Sequence, residues 1–147
     1  MIQLKFEIII DASTDKVWLT LWSDESYREW TSVFSKGSYA KTDWKEGSKA
    51  YFLTPDGSGM LSKIKKSIPG RLMSIEHLGI VVDGVEDVQS NAAKSWAGAM
   101  EDYTLEVIEG HTLLRLKIDV VEAYKNFFLK TWPKALDSIK ELAEKQS

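Results

Sequence analysis

The spacing of apolar residues changes three times along the 147-residue chain, and the order of these changes restricts the fold more than any single motif. Residues 2–10 alternate between apolar and polar, which is typical of a half-buried strand. Apolar residues three or four positions apart then predict a helix at residues 14–22, capped by Ser13, and a second short helix that starts at Ser23 or Asp24 and ends at Trp30.

Residues 37–120 return to short alternating runs, separated by turns at 45–47, 55–59, 68–70 and 109–110. This pattern predicts hairpins in an antiparallel sheet with one apolar face. The predicted inward residues are Met60, Ile64 and Ile68, then Tyr103, Leu105 and Val107, and finally Leu114, Leu116, Ile118 and Val120. Between residues 71 and 80 two inward sets are possible, either Met73, Ile75 and His77 or Leu72, Leu78 and Ile80.

Residues 81–100 have no sustained period, and we predict a functional or mobile loop there. Residues 121–145 form one amphipathic helix by their spacing, and Pro133 within it predicts a kink near Trp132. A helix of this length is the natural cover for the sheet's apolar face. The sequence therefore predicts a single α+β domain over residues 1–147, with a curved antiparallel sheet of about seven strands and an apolar cavity beneath the long helix.

The composition excludes several kinds of chemistry. The chain has sixteen aromatic residues, namely six Trp, five Tyr and five Phe, but no Cys and two His. The absence of Cys excludes disulfides, thiolate nucleophiles and cysteine-ligated metals. A net charge of −3 argues against nucleic-acid binding. Because the chain shows neither a long apolar run nor a signal-like start, we expect no membrane insertion and a cytoplasmic location.

Seven aromatic residues are candidates for the cavity wall, and for each of them a place in the packed core is an equally good interpretation. They are Trp30, Phe34, Tyr51, Trp96, Tyr103, Phe128 and Trp132. Met60, Ile64, Ile75, His77 and Leu116 complete the predicted lining. The phenols of Tyr51 and Tyr103 are predicted to face inward, where they can orient a ligand or bond to the backbone.

His77 is either the main polar group of the cavity or a histidine on the outer face of its strand. Its neighbour Glu76 must point to the opposite face, so these two residues cannot form an acid–base pair. His77 and His111 are 34 positions apart without metal-ligand spacing, and the acidic residues at 83–87 do not match a calcium loop. We therefore predict no metal site. The sequence also shows no nucleophile elbow and no phosphate-binding glycine loop, so no catalytic residue and no cofactor are assigned.

Five segments and the order of elements resemble the START-like superfamily, also called SRPBCC. The segments are Val17-Trp18, Tyr27-Arg28-Glu29-Trp30-Thr31, Asp43-Trp44-Lys45-Glu46-Gly47-Ser48, Ile75-Glu76-His77-Leu78-Gly79 and Trp132-Pro133-Lys134-Ala135-Leu136. Within the superfamily they are similar to bacterial relatives of the heat-shock-protein-90 ATPase activator homologue family. The resemblance implies a helix-grip fold with a cavity between sheet and long helix. Relatives bind lipids, sterols, polyketides and other apolar molecules, and some are cyclases or aromatases.

Three functions follow as hypotheses. The first is non-catalytic binding of a small hydrophobic or aromatic molecule. The second is a cyclase-, aromatase- or hydrolase-type enzyme in which Tyr51, His77 and Tyr103 orient and protonate a hydrophobic substrate. The third is a chaperone-associated stress protein, as the family name suggests. A small ligand is the expected partner, and a chaperone is the weaker expectation. The reason is that residues 1–147 contain no counterpart of the separate N-terminal domain of the eukaryotic activators.

Overall fold

The computed structural model describes residues 1–145, so the last two residues of the predicted domain lie outside it. The chain begins with β1 (Ile2–Ile10), α1 (Thr14–Trp22) and α2 (Asp24–Thr31). It continues with β2 (Tyr39–Lys41), β3 (Lys49–Leu53), β4 (Gly59–Ile68), β5 (Leu72–Val82), β6 (Val85–Asp87), α3 (Asn91–Trp96), β7 (Met100–Ile108) and β8 (His111–Val120). A 3₁₀ turn at Glu122–Tyr124 then leads into α4 (Lys125–Lys145).

The strands form one antiparallel sheet in the order β1-β8-β7-β5-β4-β3-β2, and β6 pairs with β5 beside this path. The predicted α+β architecture is confirmed, including the two short helices after the first strand and the long C-terminal helix. The sheet has eight strands rather than about seven, because β6 lies within the segment that was predicted as a loop.

The inner face of the sheet packs against α1 and α4. Leu114, Leu116, Ile118 and Val120 of β8 are all buried, as their alternation predicted. The inward prediction is wrong for Ile68 and Val107, which are 39% and 68% exposed. Ile68 faces the outer side because a register shift between Ile64 and Lys66 adds one residue to β4, so that Ser67 pairs with the inward Met73 and Ile68 pairs with Leu72. Val107 is the last but one residue of β7, beside the turn into β8.

The inward-facing residues of β5 come from both of the sets that the sequence allowed. Met73, Ile75 and His77 are buried on the inner side, opposite β4 and β7. A register shift then pairs His77 with Ser62 but Gly79 with Leu61, so that one extra residue is accommodated. Beyond the shift, Ile80 of the alternative set faces the cavity. Each set therefore describes part of the strand.

The predicted loop at residues 81–100 is wrong, because the segment contains β6 and α3. The Ser90 hydroxyl caps α3 by accepting from the N–H of Ala93 at 3.1 Å. The backbone after α3 joins β5, where the N–H of His77 donates to the carbonyl of Ala99 and the N–H of Gly98 donates to the carbonyl of His77, both at 2.8 Å. These elements are too short to show a sustained period in the sequence.

The C-terminal helix is continuous through Pro133. Proline has no N–H to donate to the carbonyl of Leu129 four residues earlier, yet this does not break the helix. A buried stripe of Trp132, Ala135, Leu136, Ile139 and Ala143 holds α4 against the sheet and α1. Within residues 1–145, no helix is long and apolar enough to cross a membrane.

Candidate functional site

A cavity of about 570 Å³ lies between the curved sheet, α2 and the first turns of α4. Its volume is in the range of sites for small organic ligands. Eleven of its 24 lining residues are aromatic, namely Tyr27, Trp30, Phe34, Tyr39, Phe52, Trp96, Tyr103, Tyr124, Phe127, Phe128 and Trp132. The aromatic residues of the chain are thus concentrated around one space.

Eight of the twelve predicted lining residues border this cavity: Trp30, Phe34, Met60, His77, Trp96, Tyr103, Phe128 and Trp132. Ile64, Ile75 and Leu116 do not, because they are almost completely buried in the core. The predicted face was right for these three residues, but they lie where the sheet is already covered by packed side chains.

Tyr51 also lies outside the cavity, and its predicted inward direction is wrong. Its neighbours Ala50 and Phe52 face the interior, so the alternation of β3 directs Tyr51 to the outer face. There its hydroxyl donates to Oε2 of Glu86 at 2.5 Å, and Lys49 Nζ lies 3.0 Å from Oε1 of the same carboxylate. Hydrogen bonds from Tyr51 and Lys49 lower the pKa of Glu86.

Among residues 1–145, no cluster of metal-ligating side chains is present.

Trp132 stands at the centre of the aromatic wall. Its ring centroid is 4.9 Å from that of Phe34, 5.9 Å from that of Trp30 and 6.1 Å from that of Tyr103. Trp30 is fixed in turn, because its indole N–H donates to the carbonyl of Leu21 at 3.1 Å and ties α2 to α1. The wall is therefore built from rings that already pack against one another.

The polar end of the cavity is a chain of hydrogen bonds across β4, β5 and β7. The Oγ of Ser62 is 2.7 Å from Nδ1 of His77, and Nε2 of His77 is 3.3 Å from Oε1 of Glu101. The hydroxyl of Tyr103 donates to the other oxygen of Glu101. Ser62 is completely buried, whereas the Glu101 side chain is 24% exposed and borders the cavity.

Hydrogen-bond chemistry assigns the protons in this chain. An ionised carboxylate can only accept, so Nε2 of His77 carries a proton when Glu101 is charged. In the neutral ring, Nδ1 then accepts from the hydroxyl of Ser62. Burial, followed by the charge and hydrogen bond of Glu101, raises the pKa of Tyr103 well above its usual value. Burial and the Glu101 charge also raise the pKa of Tyr27.

Comparison with known proteins gives a fold but no curated relative. No family model matches the chain, and no curated protein matches it. Solved structures do match. The Aha1 dimer from Colwellia psychrerythraea has a TM-score of 0.69 at 22% identity, covering 98% of this chain and 97% of that one. Protein MLL2253 from Mesorhizobium loti has a TM-score of 0.76 at 14% identity, covering 99% of each chain.

A third match is DynU16, a protein of the dynemicin biosynthetic locus, with a TM-score of 0.71 at 11% identity over 97% of this chain and 47% of that one. The chain shares the helix-grip fold of these structures. The fold resemblance seen in the sequence is thereby confirmed. Because all three identities are below 25%, this likeness establishes the fold alone, and any function must be argued from the residues of the cavity.

Sequence reasoning missed three polar residues in or beside the cavity wall: Glu101 and Asp119, which line the cavity, and Ser62, which contacts His77. Glu101 had a usable signal, because it lies two positions before the inward Tyr103 and thus on the same face of β7. The alternation predicted for this strand begins after Glu101 and therefore misses it. Ser62 had the same kind of signal, because it lies between Met60 and Ile64 on the predicted inner face of β4. Asp119 had none, because the alternation of β8 puts it on the face opposite Ile118 and Val120.

Only side chains that border the cavity can react with a bound molecule. Ser62 is buried behind the histidine ring and does not border the cavity, so it positions His77 and cannot serve as a nucleophile toward a ligand. Glu101 does border the cavity and can accept a hydrogen bond or a proton. The site is therefore equipped to hold a ligand and, at one end, to exchange a proton with it.

Proposed function

We propose that the protein binds a small aromatic or apolar molecule in the START-like cavity without converting it. The observation that carries this proposal is the preformed aromatic wall around Trp132, which encloses a space of ligand size. Removing apolar ligand surface from water is worth about 25 cal/mol per Å². Rings that are already packed lose little conformational freedom on binding.

The mouth of the cavity supports the same proposal. Tyr124 and Phe127 border the cavity but are 50% and 45% exposed. Large apolar side chains in such positions offer additional surface that a ligand can cover. Phe127 also packs on Phe34 and Phe128, so the exposed rim is continuous with the buried wall.

Binding can be tested with the neutral fluorescent probe N-phenyl-1-naphthylamine, whose emission rises in apolar surroundings. We expect saturable binding at one site per chain. Met60→Trp, which places a large ring in the cavity, should abolish it. Val88→Trp adds the same ring at a position that is 52% exposed and outside the cavity wall, and should leave binding intact. The proposal fails if the folded wild-type protein shows no saturable signal, or if both variants bind equally.

A second candidate is an enzyme of the cyclase or aromatase type, supported by the Glu101 carboxylate at the cavity surface. Glu101 would act as the base, and His77 and Tyr103 would hold its two oxygens in place. Glu101→Gln should then still bind the neutral probe N-phenyl-1-naphthylamine and lose turnover. Equal turnover in this variant and the wild type would exclude the role.

A chaperone partner is a third proposal, and it draws only on the fold shared with the Aha1 structure. Co-purification with a bacterial heat-shock-protein-90 homologue would test it directly. Absence of retention at micromolar concentrations would remove this proposal.

A further inference from the structure

The charged groups of the cavity are of one sign. Glu101 and Asp119 are its acidic lining residues, and Glu101 lies on the inner face of β7 opposite Ile118, whereas no Lys or Arg is among the lining residues in the described part of the chain. Among these lining residues, the imidazole of His77 is the one side chain that could carry a positive charge. A bound ligand would therefore meet negative charge and aromatic faces.

The hydrogen bonds to these carboxylates come from groups that need not carry charge. Glu101 accepts from Tyr103 and from Nε2 of His77, which has a proton in the neutral ring. Asp119 accepts from the backbone N–H of Met100 at 2.9 Å. Such donors orient a carboxylate without neutralising it, and each oxygen keeps a second lone pair for a ligand.

The effect of the Glu101 charge is visible at its neighbours. After burial itself, that charge is a cause of the raised pKa of both Tyr103 and Tyr27. The negative field thus extends over the two phenols that form this end of the cavity.

The aromatic wall adds to the same preference. A ring has a negative face that attracts a cation within about 6 Å of its centroid. The wall contains indole, phenol and phenyl rings on several sides of the cavity, including Phe52 and Trp96, which both pack edge-on against His77 with centroids 6.4 Å away. A cation placed near Glu101 would have both a carboxylate and rings around it.

We infer that the ligand of this cavity is an apolar or aromatic molecule that carries a protonated amine, which binds at Glu101. Molecules with a carboxylate, such as fatty acids, are disfavoured because no basic side chain of the wall offsets their charge. This inference rests on the proposed binding function and adds the chemical class of the ligand.

Three ligands of nearly the same shape but different charge can test this inference. They are the cationic 2-(2-naphthyl)ethylamine, the neutral 2-(2-naphthyl)ethanol and the anionic 2-naphthylacetate. Isothermal titration calorimetry at neutral pH and low salt gives their affinities for the wild-type protein. We expect the amine to bind roughly tenfold more tightly than the alcohol, as a charge-assisted hydrogen bond would give, and the acetate to bind most weakly.

Glu101→Gln serves as the matched variant, because it keeps the shape of the side chain and removes the charge. It should bring the affinities of the amine and the alcohol close together. The ratio of the two affinities is the readout, because a general disturbance of the site changes both affinities alike. If the alcohol binds but the amine shows no advantage, or if the acetate binds best, the inference is overturned and the proposed binding function stands. If none of the three probes binds, the proposed function itself loses its support. Should the variant fail to fold, the wild-type order of the three probes still decides.

Discussion

Ser62 on β4 and His77 on β5 face each other across the sheet, with the serine hydroxyl 2.7 Å from Nδ1 of the imidazole. Both residues are buried, and the ring's other nitrogen points to Glu101. The serine therefore decides which way the histidine ring is turned, and the histidine in turn holds the carboxylate that borders the cavity.

Removing this hydroxyl should destabilise the protein. Ser62→Ala leaves Nδ1 of a buried ring without its partner, and we expect the free energy of unfolding to fall by about 1–3 kcal/mol. Urea unfolding followed by circular dichroism measures it. Ser95→Ala removes an exposed hydroxyl that bonds to the carbonyl of Ala92, and should change stability by less than about 0.5 kcal/mol. Equal losses in both variants would show that the Ser62–His77 bond contributes nothing specific.

Alkaline pH should destabilise the protein through its buried phenols. Tyr103 and Tyr27 have raised pKa values in the folded state, whereas an unfolded tyrosine ionises near pH 10. The two states bind the same protons at lower pH, so stability is retained there. Above about pH 10 the unfolded state loses protons first, and stability should fall by up to about 1.4 kcal/mol per pH unit for each such phenol.

Tyr103→Phe should make this alkaline decline less steep in urea unfolding measured at a series of pH values. Tyr124→Phe, which removes the phenol of a half-exposed side chain, is the matched control. An unchanged pH slope in Tyr103→Phe would contradict the assignment.

Gly59 should tolerate no side chain. A Cβ at this position would lie 1.9 Å from the carbonyl oxygen of Phe52 on the neighbouring strand. We expect Gly59→Ala to cost about 3 kcal/mol or more, because backbone must move to make room. Gly110→Ala, in a turn where a Cβ meets nothing within 4 Å, should cost only the strain of its positive φ, about 1 kcal/mol. Thermal unfolding of the two variants compares them, and similar melting temperatures would contradict the close approach.

Pro133 should weaken α4 in the present protein. Pro133→Ala supplies an N–H for the carbonyl of Leu129, and we expect a gain of about 1–3 kcal/mol in the free energy of unfolding. Lys134→Ala at the next, exposed position should leave stability unchanged within error. A loss of stability in Pro133→Ala would instead mean that the proline acts mainly by restricting the unfolded chain.

The sequence predicted the fold well because each long element carries a clear period. The alternation of β8 and the helical stripe of α4 each identify one buried face, and a sheet with one helix to cover it leaves few arrangements. The failures lie where the period is interrupted. A shift between Leu61 and Ser62 changes which residues of β5 face inward, and a second shift between Ile64 and Lys66 does the same for β4. Nothing in the composition of these strands marks either shift.

The cavity was harder to predict than the sheet. Ser62, His77 and Glu101 come from three strands and meet only because of the order in which β4, β5 and β7 pair. Alternation also cannot separate a core position from a cavity position. Ile75 and His77 share one face of β5, yet one is packed in the core and the other borders open space.

The polar end of the site is made by strands in the middle of the sheet, whereas the rim at Tyr124 and Phe127 belongs to the 3₁₀ turn and the start of α4. Rim side chains are about half exposed, so substituting them disturbs little of the core. Substitutions at the rim could thus change which ligand sizes the cavity admits, while Glu101 at its polar end is left unchanged. In the proposed binding mode, the group that would recognise charge and the side chains that would select shape therefore belong to different elements of the fold.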